Sequence, residues 1–276
     1  FCSVQKECVI ECKDMDTIYE VPLALEEQNL AQNVLRILNC KSKNPNLSNW
    51  RELVSKIKHP KNELTIALAG KYTELNDAYI SVVESLKHAG CAYDTKVKIK
   101  WLASEDCKSD SIAAQMLSDV DALVVPGGFG FRGIEGKLNV IKYARENNLP
   151  FLGLCLGMQC AVIEYARNVV GLKAANSTEF DEKTPYPVID LMSEQKNIAG
   201  YGGTMRLGAY ECVLKEGTKA YKAYGKKLIS ERHRHRYEFN NDFKKIIEDA
   251  GLVISGKSPD GLLCEIVEYP KDDWFV

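Results

Sequence analysis

Residues 150–157 read PFLGLCLG, and this stretch decides the fold class. The stretch is apolar, it begins with a proline, and a helical pattern starts directly after Cys155 and runs to about Arg167. Glycines two positions before and two positions after Cys155 allow the backbone to pass through a very tight turn. The stretch therefore predicts a buried strand, a sharp turn at Cys155 and a helix.

The same unit, an apolar strand followed by a helix, recurs through residues 64–147. The expected strands read LTIALAG (64–70), VKIKWLA (97–103) and ALVVPGG (122–128), with helical patterns near 78–89, 111–120 and 137–147. Continuously apolar strands that alternate with helices indicate a parallel sheet that is covered on both faces. We therefore expect an α/β fold with a mostly parallel open sheet, helices on both faces, and ligands at the carboxyl ends of the strands.

The pattern changes on either side of this region. After residue 170, shorter strands are expected in PVIDLM (187–192), TMRLGAYECVL (204–214) and ISERHRHRYEF (229–239), with a helix near 242–250 and a hairpin over 252–267. Before residue 64, a short strand over 9–16 and a helix over about 24–38 form a small helical appendage. We expect one segment over 1–39, a linker over 40–63 with a helical pattern from Ser48, and a main domain over 64–276.

The composition is that of an ordinary globular protein. The 276 residues are 45% hydrophobic and 27% charged, and the net charge of -2 gives no electrostatic reason to expect nucleic acid or an anionic membrane as partner. Ten cysteines without a CxxC pair favour a reducing, cytoplasmic location, and no apolar run approaches the roughly 20 residues of a membrane span. Small molecules are the expected ligands. The chain begins at Phe1 in a stretch resembling a domain interior, which predicts an excerpt of a longer protein.

Cys155 is the candidate nucleophile. A side chain on a tight strand-to-helix turn projects from the top of the sheet, as in a nucleophile elbow. The helix N-terminus is expected to lower the pKa of the thiol, and the backbone N–H of Leu156 is free to hold an oxyanion. Gln159 lies one helical turn further on the same face, where it can bind a polar end of a substrate. The alternative is a buried cysteine without a chemical role.

Residues 126–137 read PGGFGFRGIEGK and contain Gly128-x-Gly130-x-x-Gly133. This spacing matches the dinucleotide fingerprint, but it follows a third strand and has no acidic residue about 20 positions later, and Lys137 is followed by leucine, unlike in a P-loop. We favour an oxyanion hole formed by the N–H groups of Gly128 and Leu156. The glycines that follow, with Arg132, are expected to form a lid, the alternative being a flexible surface loop.

Five motifs in order resemble one enzyme family. PGGFGFRG (126–133), GLCLGMQ (153–159), NSTEF (176–180), GGTMRLG (202–208) and ERHRHRYE (231–238) are similar to the glutaminase half of CTP synthases, which are class I, triad-type glutamine amidotransferases with a flavodoxin-like fold. KDMDTIYEVPLALEEQ (13–28) resembles the end of that family's amidoligase domain, and residues 40–63 resemble its interdomain linker. The resemblance thus extends over the whole chain.

The resemblance implies a role for particular residues. Cys155 would attack the side-chain amide of glutamine, with Gly128 and Leu156 as the oxyanion hole. The implied glutamine-binding residues are Gly128, Leu156, Gly157, Met158, Gln159, Glu179 and Arg236, the lid residues are Gly130, Arg132 and Gly133, and Lys13, Asp14 and Met15 match positions that touch ATP. The family passes ammonia to a UTP that ATP has phosphorylated and forms CTP, with Mg²⁺ at the distant synthetase site, GTP as activator and a homotetrameric assembly. No cofactor or metal is expected in the glutaminase domain itself.

The sequence offers no clear candidate for the general base. A thiol mechanism needs a base, usually a histidine oriented by a carboxylate. The histidines are His59 in the linker, His88 in a helix, and His233 and His235 in the basic stretch. The family carries its triad histidine and glutamate in a His-Pro-Glu motif shortly after a strand that here begins at residue 274. A shortened chain, a true fragment and substitution by His235 are the three explanations, and we favour the first.

The basic stretch and Glu179 have alternative interpretations. In a strand, Arg232, Arg234 and Arg236 lie on one face and the two histidines on the other. The arginines would bind a substrate carboxylate or form a solvated face, and the His-x-His pair lacks an obvious third metal ligand. Glu179 in a polar loop is either a substrate ligand or simply solvated.

Three functions compete. The leading hypothesis is the glutamine-hydrolysing domain of CTP synthase, a ligase of pyrimidine biosynthesis. The alternative is a catalytically silent module that binds glutamine or other subunits. A stand-alone γ-glutamyl hydrolase is disfavoured by the amidoligase-like residues 1–39.

Overall fold

The computed structural model describes residues 3–41, 43, 45–191, 205–271 and 275–276. By internal contacts the chain divides into two compact units, one formed by Phe1–Glu63 with Ser85–Val97 and the other by Leu64–Glu84 with Lys98–Val276.

The first unit contains the helices α1 (Val21–Glu27), α2 (Leu30–Ile37) and α3 (Ser48–Lys58). The predicted single helix over 24–38 is wrong, because Asn29 has a left-handed φ of 61° that separates α1 from α2. Asparagine tolerates this region because its short polar side chain can hydrogen-bond locally. The predicted strand over 9–16 does not form either. The Gln28 side chain instead bonds both backbone groups of Glu11, each at 2.8 Å.

The second unit is built on a parallel sheet. Its strands are β1 (Asn62–Gly70), β2 (Thr95–Ala103), β3 (Ala122–Val125) and β4 (Phe151–Gly153), in the order β2-β1-β3-β4. The pairs β1/β3 and β3/β4 are parallel, with Val124 opposite Leu152. On the other side of β4, Phe275 forms a parallel bridge with Phe151. The carboxyl ends of β3 and β4 therefore meet at one edge of the sheet.

Helices alternate with these strands as predicted. They are α4 (Ile80–Ala92), α5 (Asp110–Leu117), α6 (Ile134–Glu146) and α7 (Leu156–Tyr165). Almost every residue of α7 is buried, as expected for a helix that is apolar on all sides. Its side chains pack with those of β3, β4 and α6 in one core. The predicted α/β fold with a parallel sheet flanked by helices is confirmed. Within the described ranges, no helix is long and apolar enough to cross a membrane.

The remaining strands form two further sheets. The first contains β5 (Ala175–Ser177), β6 (Tyr186–Leu191) and β9 (Tyr237–Phe239), and the second is an antiparallel sheet of β7 (Arg206–Leu214), β8 (Leu228–His235), β10 (Val253–Lys257) and β11 (Cys264–Glu268). Helices α8 (Lys219–Tyr224) and α9 (Lys244–Asp249) complete this part. The sequence did not indicate β5 or α8. Residues 192–204 and Trp274 lie outside the described residues. The first of these ranges includes Gly202, Gly203 and Thr204 of the GGTMRLG motif.

Candidate active site

The turn at Cys155 has the geometry of a nucleophile elbow. Cys155 has a φ of 56° and a ψ of -107°, a conformation that residues with a Cβ rarely adopt, between the end of β4 and the start of α7. A Cβ on Gly153 would lie 2.7 Å from the carbonyl carbon of Gly157, and a Cβ on Gly157 would lie 2.0 Å from the oxygen of Val125. Only glycine fits at either position. The predicted strand, tight turn and helix are confirmed.

Two backbone donors converge on the sulfur of Cys155. The N–H groups of Leu156 and Gly128 are close enough to the Cys155 thiol for both to lower its pKa. The neighbouring Gly127 is also close, since a Cβ there would lie 3.6 Å from the sulfur. One donor comes from the start of α7 and the other from the end of β3, because the two parallel strands end side by side. An oxygen of an acyl group attached to the sulfur can accept from both donors.

The pKa of the Cys155 thiol is raised, and burial is the main cause. The N–H groups of Leu156 and Gly128 lower this pKa, whereas the carboxylates of Glu238 and Glu179 raise it further. Our expectation that the helix N-terminus lowers the thiol pKa is therefore wrong in its net direction, because desolvation outweighs the N–H groups. The thiol is protonated at neutral pH, and ionisation needs a base.

A cavity of about 470 Å³ opens beside the sulfur. Its walls include Cys155, Met158 and Gln159 from the elbow side and a row of β8 residues from the other. Gln159 is buried and its side-chain amide donates to the carbonyl of Tyr237 at 2.8 Å. The volume is within the usual range for small-molecule pockets. Gln159 and Met158 thus lie where a ligand of Cys155 would contact them.

The glycine loop after β3 is held from two sides. Glu179 accepts a hydrogen bond from the N–H of Gly130 at 2.6 Å. The Lys71 ammonium donates to the carbonyls of Phe129 and Gly130, the latter at 2.7 Å. Sequence analysis missed Lys71, although its place at the carboxyl end of β1 was a usable signal. Glu179 is therefore at the site, bound to the loop.

Arg132 and Gly133 complete that loop. Gly130 and Gly133 both have positive φ, 74° and 72°, which explains the glycines. Arg132 forms an ion pair with Glu105 at 2.9 Å, and its guanidinium lies 5.7 Å from the centre of the Tyr72 ring. Arg132 thus contacts the loops that follow β1 and β2.

The predicted alternation of arginines on one face and histidines on the other is observed within β8 but does not continue past its end. Arg232 and Arg234 are exposed, while His233 is buried and His235 half-buried. Arg236 lies at a bend after the end of β8, so our expectation of three arginines on one strand face is wrong for it. The bend separates β8 from β9, which pair in different sheets.

A buried ionic cluster, which sequence analysis missed, lies beside the cavity. Arg206 donates to Glu238 at 3.1 Å and to Glu265 at 2.7 Å, and its guanidinium is 3.0 Å from Nδ1 of His233. Burial raises the pKa of Glu238 to about 7. These residues come from β7, β8, β9 and β11, and no local pattern in the sequence joins them.

His235 is poorly suited to be the general base. Burial, His233 and Arg206 lower its pKa to about 4, whereas the thiol pKa is raised from 9.0. Moving the thiol proton to His235 is therefore strongly unfavourable, because the thiol holds its proton much more tightly than the imidazole does. The hypothesis that His235 substitutes for the base loses its support.

The residues expected to touch ATP lie in the first unit. Lys13 and Asp14 are exposed, Met15 is half-buried, and Lys13 pairs with Glu11 at 3.1 Å. One surface ammonium and one carboxylate do not make a nucleotide site by themselves. No group of three or more His, Cys, Asp or Glu side chains within the described ranges is placed to hold a metal ion.

The parallel sheet, the cysteine elbow and the converging donors define the class I glutamine amidotransferases. The family model described as "Glutamine amidotransferase class-I" matches residues 74–275, and that described as "CTP synthase N-terminus" matches residues 1–40. CTP synthases from Methanocaldococcus jannaschii and Bacillus subtilis are 56% and 54% identical to this chain. The matches include 100% of this chain and 52% and 51% of the length of the two relatives. The chain belongs to the CTP synthase family of class I glutamine amidotransferases.

A solved structure agrees with this assignment. The glutaminase domain of Trypanosoma brucei CTPS, solved with bound acivicin, superimposes with a TM-score of 0.72 at 36% identity, over 77% of this chain and 83% of that one. The chain spans about half the length of the curated relatives that it matches.

Proposed function

We propose that this chain is the glutamine-hydrolysing part of a CTP synthase, in which Cys155 forms a thioester with the side-chain acyl group of glutamine. The observation that carries the proposal is the convergence of the Gly128 and Leu156 N–H groups on a cysteine sulfur at a strained elbow. The name of the relatives, CTP synthase, gives CTP as the final product, and the matching family description gives glutamine as the substrate. We propose from family membership that the ammonia is used for the ATP-dependent amination of UTP to CTP.

The chemistry follows from the geometry. The sulfur attacks the amide carbon as a base takes the thiol proton, and the amide oxygen becomes an oxyanion held by the two N–H groups. The C–N bond then breaks, and ammonia leaves with the proton that the base returns. Water attacks the thioester and releases glutamate and the thiol. We propose that the family's histidine and glutamate supply the base, because His235 has too low a pKa.

We propose that glutamine is bound by residues that line this pocket and by others near it. Gln159 and Met158 line the cavity next to Cys155, and Gly157 belongs to the same helix start, where its N–H donates to the carbonyl of Leu154 at 2.9 Å. Glu179 would pair with the α-ammonium group. The Arg236 guanidinium would bind the α-carboxylate, since arginine and carboxylate match in charge and geometry. The loop with Gly130, Arg132 and Gly133 would then be the lid.

The central experiment measures ammonia release from glutamine by the full gene product. Cys155→Ala should lower kcat at least about 1,000-fold, because the nucleophile is lost. Cys40→Ala, at an exposed cysteine of the first unit, is the matched control and should keep wild-type activity. CTP formation with added ammonium salt should survive in Cys155→Ala. Hydrolysis that persists in Cys155→Ala contradicts the proposal, and glutamine binding without hydrolysis in the wild type supports the silent module instead.

From family membership we propose further properties of the parent protein. It would bind ATP and Mg²⁺ in its synthetase domain, be activated by GTP, form a homotetramer and be located in the cytoplasm.

A further inference from the structure

Lys137 is a fully buried lysine next to the candidate site. Its exposed fraction is 0%, and it lies in the first turn of α6. Its Nζ has no hydrogen-bond partner within the described part of the chain. Burying an ammonium group without a partner is strongly unfavourable, and a cation near a helix N-terminus is unfavourable as well. The resting structure therefore offers no stabilising reason for this side chain.

The position of the Lys137 Nζ connects it with the oxyanion hole. The nitrogen lies 3.9 Å from the place where a Cβ on Gly128 would be. The N–H of that same glycine is close enough to the Cys155 thiol to lower its pKa. The amine is thus close to the residue whose N–H faces the sulfur, and Cys155 is among the groups that act on its pKa.

The other charged neighbours of Lys137 are already engaged or neutral. Cys160 is buried and its pKa is raised to about 12, so it stays a thiol. Glu179 is bound to Gly130, and Lys71, which is also a cation, is bound to the loop carbonyls. Burial lowers the Lys137 pKa most, and interactions with Cys160, Cys155 and Glu179 raise it while Lys71 lowers it. Cys155 is the one of these neighbours whose charge changes during the proposed reaction.

We propose that Lys137 is a positioning residue that serves as a buried counter-charge for the negative charge on Cys155 and on the substrate oxygen beside Gly128. This inference rests on the proposed glutaminase function. The amine has no hydrogen-bond partner in the resting site, and a positive charge on it is stabilised when the thiolate or the tetrahedral intermediate forms. An interaction that exists mainly in the reacting state increases the rate rather than the affinity for substrate. Lys137 accepts no proton in this scheme, and the thiol proton goes to the base.

The test compares Lys137→Met with Lys142→Met in the full gene product. Lys142 is on the same helix but pairs with Asp110 near the surface, so it controls for the loss of one positive charge from α6. The rate of alkylation of Cys155 by iodoacetamide is measured against pH by peptide mass spectrometry. We expect the midpoint to rise by about one pH unit in Lys137→Met and to stay unchanged in Lys142→Met. In glutamine hydrolysis, kcat should fall about tenfold while KM stays close to wild type.

Every outcome of this test decides the proposal. A wild-type midpoint in Lys137→Met overturns it. Loss of folding in Lys137→Met also overturns it, because an amine without a partner should be replaceable by methionine. Lys137→Gln is polar but uncharged, so a wild-type midpoint in that variant would assign the effect to hydrogen bonding and again overturn the counter-charge. Alkylation needs no glutaminase activity, so the result stands apart from that of the Cys155→Ala experiment.

Discussion

Replacing Gly157 by alanine should damage the site by moving one helix. A Cβ on Gly157 would lie 2.0 Å from the oxygen of Val125, whereas real Cβ atoms essentially never come within 3.0 Å of another heavy atom. The start of α7 must therefore move by about 1 Å away from β3, and a displacement of that size at a catalytic group lowers activity about 100-fold. The displacement carries Cys155 and Leu156 away from Gly128.

The same substitution has a defined effect on stability. Overpacking of this kind lowers the free energy of unfolding by about 2 kcal/mol. For a domain of this size, that is a decrease in Tm of about 4–8 °C. Ammonia release gives kcat, and thermal unfolding gives Tm.

Gly225→Ala separates the clash from the simple loss of a glycine. Gly225 ends α8 with a φ of 66° and has open space around it. Alanine there should lower the free energy of unfolding by about 1 kcal/mol and leave kcat unchanged. If Gly157→Ala retains both wild-type kcat and wild-type Tm, the close approach of α7 to β3 does not hold the elbow in place.

Two further predictions concern buried charges. Glu164 is fully buried and binds Arg145 through several bonds, so Glu164→Gln should lower the free energy of unfolding by about 3–5 kcal/mol. Glu135 is exposed and pairs with the half-buried Arg167, so Glu135→Gln should change this free energy by less than about 1 kcal/mol. Equal effects in urea unfolding would refute this. Burial raises the Glu238 pKa from 4.5 to about 7, so its contribution to stability is present below pH 4.5 and is lost as the pH rises to about 7. The stability of the wild type relative to Glu238→Gln should thus fall by about 3 kcal/mol between pH 4.5 and pH 8, and a constant difference in urea unfolding would contradict the raised pKa.

The parts of the fold that depend on local patterns could be predicted from the sequence. The glycines around Cys155 and the apolar run before it were enough for the elbow, because a tight strand-to-helix turn needs small residues at fixed positions. Parallel order then put Gly128 beside Leu156, since strands that end at one sheet edge bring their following loops together.

Features that depend on tertiary contacts could not be predicted. The Gln28 side chain takes the hydrogen bonds that a neighbouring strand would have made to Glu11, and nothing in the sequence indicates that pairing. The Arg206 cluster joins residues up to 59 positions apart. The direction of the Cys155 pKa depends on how deeply the thiol is buried, and the helix terminus alone gave the wrong sign.

Both edges of β4, the strand before the elbow, form backbone hydrogen bonds. β4 pairs with β3 on one side, and on the other Val276 donates to the carbonyl of Phe151 and accepts from the N–H of Gly153, at 3.1 and 2.9 Å. The residues just before Cys155 therefore cannot rotate to relieve its positive φ without breaking hydrogen bonds to two neighbours. The hydrogen bonds of the sheet therefore hold the strained turn in place and keep the thiol oriented toward the two N–H groups.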